Sequence, residues 1–269
     1  MGLYLAGQTV CAYKWRLLAG PLGLRHAFAR FWVAYFGGMF MNLFLPTSVG
    51  GDVGRALTLA GGRRGFRAAV VSVLADRGTG LLALSWVALG AERWLGDVGL
   101  PPLIRYSIWG LAAALTGGCL LPFLAPRLLD GLGETMRLAN RCWRDPGAFL
   151  GAVGIALAFQ LGLGAVYAVL GAAMGLGQPW GYYFLVSPLA ALASMVPVSI
   201  FGLGFREGAL VYLFGLRGVG REEALGFAVA WLALVTLLSL LGGLVLATTG
   251  GLPTLDEADG PQTAILQDE

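Results

Sequence analysis

The sequence predicts an all-α bundle of helices that crosses a lipid bilayer several times, and three observations carry that expectation. The first is composition: the chain is 57% hydrophobic and 12% charged, with a mean hydropathy of +0.75, where soluble domains carry roughly 25% charge. The second is a set of apolar segments long enough to span hydrocarbon as helices. The third is a short pattern that occurs twice in apolar surroundings, 151 residues apart. Its first copy runs from Pro46 through Ser48, Gly50, Gly51 and Asp52 to Arg55, and its second from Pro197 through Ser199, Gly202 and Gly204 to Arg206.

The apolar segments fall near 2–18, 27–45, 68–91, 104–125, 149–175, 180–197 and 224–250. Those at 68–91, 104–125, 149–175 and 224–250 reach the roughly 20 residues that a crossing helix needs. The opening run, Gly2 to Tyr13, is short for a span, which predicts a stunted helix or a chain that begins late. It also lacks the charged start and small-residue cleavage site of a signal peptide. The segments at 27–45 and 180–197 run straight into the two copies of the pattern. Each copy is followed by a helical stretch too short to cross, Asp52 to Ala60 and Arg206 to Leu216. Both therefore read as re-entrant or broken-helix hairpins, because irregular backbone at membrane depth persists only where protein or a wet cavity satisfies it.

Basic residues test that arrangement. If each hairpin returns to its own side, eleven arginines and lysines lie on one face: Lys14, Arg16, Arg25, Arg30, Arg63, Arg64, Arg67, Arg127, Arg137, Arg141 and Arg144. The other face holds four, Arg93, Arg105, Arg217 and Arg221. The positive-inside rule assigns the richer face, and with it the C-terminus, to the cytoplasm. Three crossings then separate the hairpins, which makes them an inverted repeat. The stretch from Arg127 to Trp143 mixes charge with Leu128, Leu129, Met136 and Leu138 and reads as an amphipathic helix on that surface. Residues 1–255 form a single transmembrane domain on this reading, and 256–269 an acidic, disordered tail.

Composition also narrows function. A net charge of +3 suits anchoring to anionic headgroups and not nucleic-acid binding. Cys11, Cys119 and Cys142 are scattered without a CxxC, Cys11 and Cys119 reading as apolar core positions, so neither a disulfide framework nor a metal site is expected. The single histidine, His26, stands beside Arg25 near a membrane boundary and reads as interfacial. No cofactor is implied, and no GxxxxGK[ST] motif supports ATP-driven pumping by this chain alone.

Six charges fall within apolar segments: Asp52, Arg55, Asp76, Arg77, Arg206 and Glu207. Each costs about 2.5–3.5 kcal/mol at a bilayer centre, so they must pair or face a wet cavity. Asp52 and Arg55, three apart, share a helix face, and Asp52 is also placed to cap that helix. Adjacent residues point about 100° apart on a helix, so Asp76 and Arg77 must each find partners elsewhere, the repeated segments being the obvious ones. A purely structural ion-pair network is one reading. The other is an anion site, because arginine's planar fork takes phosphate bidentately and keeps its charge. A half-helix N-terminus adds N–H donors, and Gly50-Gly51 and Gly202-Leu203-Gly204 let backbone approach a ligand. Asn42 either supplies a neutral hydrogen bond to that ligand or bonds the broken backbone.

At these residues the chain resembles the lysylphosphatidylglycerol synthase transmembrane-region family, the flippase-like domain of the multiple peptide resistance factor and of stand-alone relatives. The resemblance rests on Asn42-Leu43-Phe44-Leu45-Pro46, Gly50-Gly51-Asp52, Arg55, Asp76-Arg77, Pro197 through Glu207, and the Lys14-Trp15-Arg16 step. It implies a bacterial inner-membrane protein that moves a phospholipid or polyprenyl-linked lipid between leaflets through a central charged cavity, with a lipid-synthesising enzyme as a possible partner. The family's longer start before the Trp-Arg step implies that a first helix is missing here. No soluble synthase accompanies this sequence, so a lysyl substrate does not carry over. Two other functions compete with translocation: an intramembrane transferase using Asp76 or Glu207 as base, and a non-transporting scaffold. The enzyme reading is the weaker for want of a nearby histidine and an acceptor-binding domain. Headgroup, energy source and oligomeric state are not encoded in any motif.

Overall fold

A computed structural model of the chain describes residues 1–44, 49–60, 63–124, 133–195 and 204–248, with the side chains of Val49, Arg63, Arg64 and Glu134 left aside. The regular structure among them is helical throughout. In chain order the helices are α1 (Gly2–Ala19), a 3-10 turn (Gly20–Leu22), α2 (Phe28–Met41), α3 (Val49–Ala60), α4 (Arg63–Leu95) and α5 (Pro102–Leu124). There follow α6 (Glu134–Arg144), α7 (Pro146–Ala173), α8 (Trp180–Ala193), α9 (Phe205–Gly215) and α10 (Arg221–Thr248).

Among the described residues, four helices are long and apolar enough to cross a membrane: Gly65–Leu95 within α4, Pro102–Leu124, Pro146–Ala173 and Arg221–Thr248. They are the four that hydropathy singles out. Each begins before its apolar run, α4 at Arg63 where 68 was expected, while α5, α7 and α10 end just inside theirs. Backbone hydrogen bonding continues a helix past the point where hydrophobicity stops. α7 stops for a local reason: Gly175 adopts φ +71°, and the Leu176 N–H donates to the Gly171 carbonyl at 3.0 Å, a Schellman-type ending.

The segments that flank the repeated pattern form two pairs of shorter helices, α2 with α3 and α8 with α9, each pair packed together. With 14, 12, 14 and 11 residues, none is long enough to cross alone. Positions 45–48 and 196–203, including Pro46, Ser48, Pro197 and Gly202, lie outside the described residues, as does the tail 256–269.

The chain divides into two compact units. One comprises Ala12–Arg77, Leu121–Ala152 and Ser239–Glu269, and the pair α2–α3 belongs to it. Its core is built from Trp15, Leu24, Phe31, Ala34, Leu59 and Val73, all buried. Trp15 meets Phe31 edge to face at 5.1 Å, and its indole N–H donates to the Ser72 hydroxyl at 3.0 Å. A smaller cluster joins Leu18, Ala75, Cys142 and Ala152. His26 is half-buried, and its Nε2–H donates to the Leu59 carbonyl at 3.1 Å. Desolvation, with Arg30 adding to it, holds that imidazole below its ordinary pKa and therefore neutral.

All three cysteines are buried, so Cys142 joins the core positions expected only for Cys11 and Cys119. Cys142 lies on α6, whose surface side shows Met136, Arg137 and Arg141. Its thiol donates to the Leu18 carbonyl at 3.2 Å, and burial, with the Asp145 charge adding to it, pushes its pKa up to about 12. Thiolate is the reactive form, so iodoacetamide at pH 8 is expected to leave Cys142 unmodified in the folded protein and to modify it once SDS unfolds the chain. Peptide mass spectrometry reads the site directly, and labelling of Cys142 before unfolding would contradict this packing.

The other unit comprises Met1–Cys11, Gly78–Leu120 and Val153–Leu238, and the pair α8–α9 belongs to it. Aromatic rings hold it together. Phe214 of α9 lies 5.0 Å from Phe227 of α10 and 6.0 Å from Tyr183 of α8. Tyr167 of α7 meets Trp231 at 4.5 Å, and Tyr4 of α1 meets the same indole at 5.5 Å. The Tyr182 hydroxyl donates to the Leu213 carbonyl, which satisfies the one polar atom of an otherwise buried ring.

Candidate functional site

In the unit containing α2 and α3, five charged side chains form one chain of alternating sign. Lys14 of α1 places Nζ 3.0 Å from Asp76 Oδ1 and donates also to the Asp76 backbone carbonyl at 2.9 Å. Arg55 of α3 places Nη2 2.7 Å from Asp76 Oδ2 and Nη1 3.5 Å from Asp52 Oδ1. Arg77 of α4 then takes Asp52 in its fork, with Nε 2.9 Å from Oδ2 and Nη2 3.0 Å from Oδ1.

Local sequence explains most of this. Asp52 and Arg55 are three apart on α3, while Asp76 and Arg77 are adjacent on α4 and diverge by about 100°. Asp76 therefore reaches Lys14 and Arg55, whereas Arg77 reaches Asp52. The divergence argued from sequence thus sends both residues of the doublet to partners on other helices, and for each a partner lies in the first repeated segment.

Burial grades along the chain. Lys14, Asp76 and Arg55 are nearly sealed, with side-chain exposures of 5%, 5% and 6%, while Asp52 at 22% and Arg77 at 38% open outward. The Arg55 guanidinium is clamped between the faces of Trp15, at 4.2 Å, and Tyr35, at 4.6 Å. Such cation–π contacts gain strength when desolvated. The buried Arg55 Nε has no hydrogen-bond acceptor among the described residues.

Two expectations change, and a third residue takes one of the two roles left open for it. Lys14, assigned from sequence to the membrane boundary, is a buried ion-pair partner of Asp76. It adds a cation to the network, which among the described residues has three cations against two carboxylates, Asp52 and Asp76. Asp52 does not cap α3: that helix begins at Val49, so Asp52 stands inside the first turn and spends both oxygens on Arg77. Asn42 bonds the backbone, its Oδ1 accepting the Gly51 N–H at 2.9 Å.

That same Gly51 lets α3 lie against α2. A Cβ there would strike the Gly38 carbonyl and the Asn42 amide, and a Cβ at Gly38 would come within 2.8 Å of Arg55 Cγ. Gly50, one residue before, is half-buried in the first turn of α3.

Tyr35 had no signal as a site residue, since an aromatic residue in an apolar run reads as core, and Trp15 stood out only through the Lys14-Trp15-Arg16 step. Lys14 did leave one: it is the only lysine of a chain whose other basic residues are all arginine.

In the other unit, Glu207 folds back over the start of α9, where its Oε2 accepts the Gly204 N–H at 2.6 Å and its Oε1 lies 3.4 Å from Arg206 Nε. Gly204 has φ +93°, a conformation that favours glycine. Arg206 is within electrostatic reach of Tyr4 and Tyr167. Gly202 lies outside the described residues.

Helices of this length and apolarity, enclosing paired charges, define a multi-pass helical membrane protein. The chain belongs to the lysylphosphatidylglycerol synthase transmembrane-region family, whose model matches residues 1–243. No curated protein matches the chain, and no solved structure does.

Proposed function

We propose that the chain translocates a phosphate-bearing lipid, a phospholipid or a polyprenyl-linked lipid, across a bacterial inner membrane. The observation that carries this reading is the charge of the network among the described residues: Lys14, Arg55 and Arg77 exceed Asp52 and Asp76 by one cation, and the most exposed member is Arg77. An anion completes such a set where a neutral ligand leaves it unbalanced.

On this reading Asp52 is a place-holder. It occupies the Arg77 fork with the bidentate geometry that a phosphate would take. An arriving phosphate displaces it onto Arg55, whose Nη1 is already 3.5 Å away. The exchange swaps partners without leaving a charge bare, which keeps the barrier low. Lys14 and Asp76 hold Arg55 in place throughout, so the carboxylates act as counter-ions and not as bases. The repeat makes Arg206 and Glu207 the counterpart for the other leaflet, with the pairs α2–α3 and α8–α9 as inverted re-entrant hairpins. Gly50, Gly51, Gly202 and Gly204 supply backbone at the two stations, and Asn42 positions the first through Gly51. The C-terminus lies in the cytoplasm, and an enzyme that makes the lipid is the expected partner.

The test uses vesicles containing the protein and a trace of fluorescent phospholipid, with dithionite bleaching of the outer leaflet as readout. Arg77→Gln, at an outward-facing position, is expected to slow transbilayer movement about tenfold or more, since a hydrogen bond to a charged group contributes about 1.5–3 kcal/mol. Arg77→Lys, which keeps the charge and loses the fork, should fall between. Movement at the wild-type rate in folded Arg77→Gln protein rejects the proposal.

A further inference from the structure

Outside the ion-pair network, the unit holding α8 and α9 carries a second built feature. A groove of about 570 Å³ runs between α4 and α5, within the ~300–1,000 Å³ of ligand sites. Its lining is apolar over most of its length, through Leu89, Ala113, Gly117 and Leu120, and its polar end is Arg93 beside Trp109. We propose that this groove binds an anionic phospholipid, with the phosphate on Arg93 and one acyl chain laid along α5 from Trp109 to Leu120.

Charge comes first. The acids near Arg93 are engaged by other groups. Glu92, buried, takes Arg105 Nε at 3.0 Å and accepts the Trp109 indole N–H at 3.3 Å. Asp97 takes Arg105 Nη2 at 3.1 Å and accepts the Gly99 N–H at 3.1 Å. Arg93 itself is exposed and lies 5.0 Å over the Trp109 ring, and no acid pairs with it among the described residues. The ring that carries Arg93 is thus fixed by Glu92, and Glu92 by Arg105. A cation held this way at an apolar mouth lacks only its anion.

Length and placement select the occupant. Trp109 to Leu120 is twelve residues, whose rises add to about 16 Å of helix, or about half of the ~30 Å hydrocarbon core. Aromatic residues of the kind enriched at a membrane–water interface flank the polar end in sequence, with Trp94, next to Arg93, 86% exposed and Tyr106, next to Arg105, also exposed. α5 turns outward along its length: only 17% of its apolar window is buried inside the protein. The polar groups of the floor are satisfied within the protein: the Trp86 indole N–H donates to the Thr116 hydroxyl at 3.0 Å, which in turn donates to the Ala112 carbonyl at 2.6 Å. Space remains where the chain is thin, and a Cβ at Gly117 meets nothing within 4 Å. A two-chain anionic lipid fits each of these features.

A second groove, of about 810 Å³, supplies an internal control. Leu82, Gly90, Leu157 and Phe184 line it, and no charged residue does. It can take an acyl chain but has nothing to choose a headgroup.

The experiment is native mass spectrometry of the whole chain, released from detergent after incubation with equal amounts of phosphatidylglycerol and phosphatidylcholine of the same acyl chains. Wild-type protein is expected to retain phosphatidylglycerol over phosphatidylcholine about fivefold, the factor that one interfacial arginine contributes toward an anionic lipid. Arg93→Gln should bring that ratio near one. Gly117→Leu, whose Cβ would meet nothing within 4 Å and whose branched end is meant to fill the groove, should remove one bound phosphatidylglycerol, while Gly90→Leu in the second groove should leave the preference intact. Arg93 is exposed, so its replacement tests the headgroup even if the Gly117 variant folds poorly. A preference unchanged by Arg93→Gln overturns the proposal. So does undiminished phosphatidylglycerol on Gly117→Leu, or a Gly117→Leu that changes only the oligomeric state, which would make the groove a seat for a second copy.

Discussion

Asp76→Ala is expected to be the most damaging single substitution in this protein, with a loss of roughly 3–5 kcal/mol, the cost of breaking a buried ion pair from one side. The reason is the two cations that share this carboxylate. Lys14 and Arg55 have side-chain exposures of 5% and 6%, and both put nitrogens within 3.0 Å of Asp76. Without Asp76, Lys14 loses its carboxylate, and Arg55 retains, among the described residues, only the carboxylate of Asp52, at 3.5 Å. Unfolding by SDS in mixed micelles measures the loss. The double variant Lys14→Met with Asp76→Ala should be clearly more stable than the sum of the single changes, because removing both partners leaves fewer bare charges. Additive effects would show that Lys14 and Asp76 do not interact.

Gly51→Ala is the second large effect, and it acts through shape. Here the added methyl would run into the Gly38 carbonyl and the Asn42 amide, a backbone group and a side chain bonded to Gly51 itself. Neither can yield without parting α2 from α3. Overfilling a packed contact costs about 1–3 kcal/mol, and the helix propensity of alanine returns at most about 1 kcal/mol. Arg55 and Asp52 ride on α3, so transbilayer lipid movement should fall along with stability. Gly118→Ala is the matched control, since a Cβ there meets nothing within 4 Å; it should be neutral or slightly stabilising. If both alanines behave alike in micelle unfolding, the close approach of α2 and α3 is not what Gly51 is for.

How much of this was legible in the sequence depends on how local each cause is. The spans were readable because twenty apolar residues in a row have one outcome in hydrocarbon. The divergence of Asp76 from Arg77 was readable because helix geometry alone sets it. The amphipathic character of α6 was readable for the same reason, although its buried thiol was not. Lys14 misled because it lies two residues from Arg16 at the end of a short apolar run, which is what an interfacial lysine looks like. Its partner is 62 residues away, and no periodicity within α1 reports on that. Asn42 was evenly balanced between ligand and backbone because both bonds are chemically good. The position of α3 decided for Gly51. The cation clamp on Arg55 was invisible for a similar reason, since Trp15 and Tyr35 lie on two other helices.

The sequence by itself determined the class of protein, its membrane-crossing helices, its family, and the requirement that each intramembrane charge find a partner. Those follow from composition, run length and helical angle, which act over a turn or a span. Only the tertiary structure decided which charge meets which. It made Lys14 part of the network, and engaged Glu92 with Arg105 so that, among the described residues, no acid pairs with Arg93 at its apolar groove. The physical reason is that ion pairing in a low-dielectric interior depends on distances of a few ångströms between helices far apart in the chain, and the fold sets those distances.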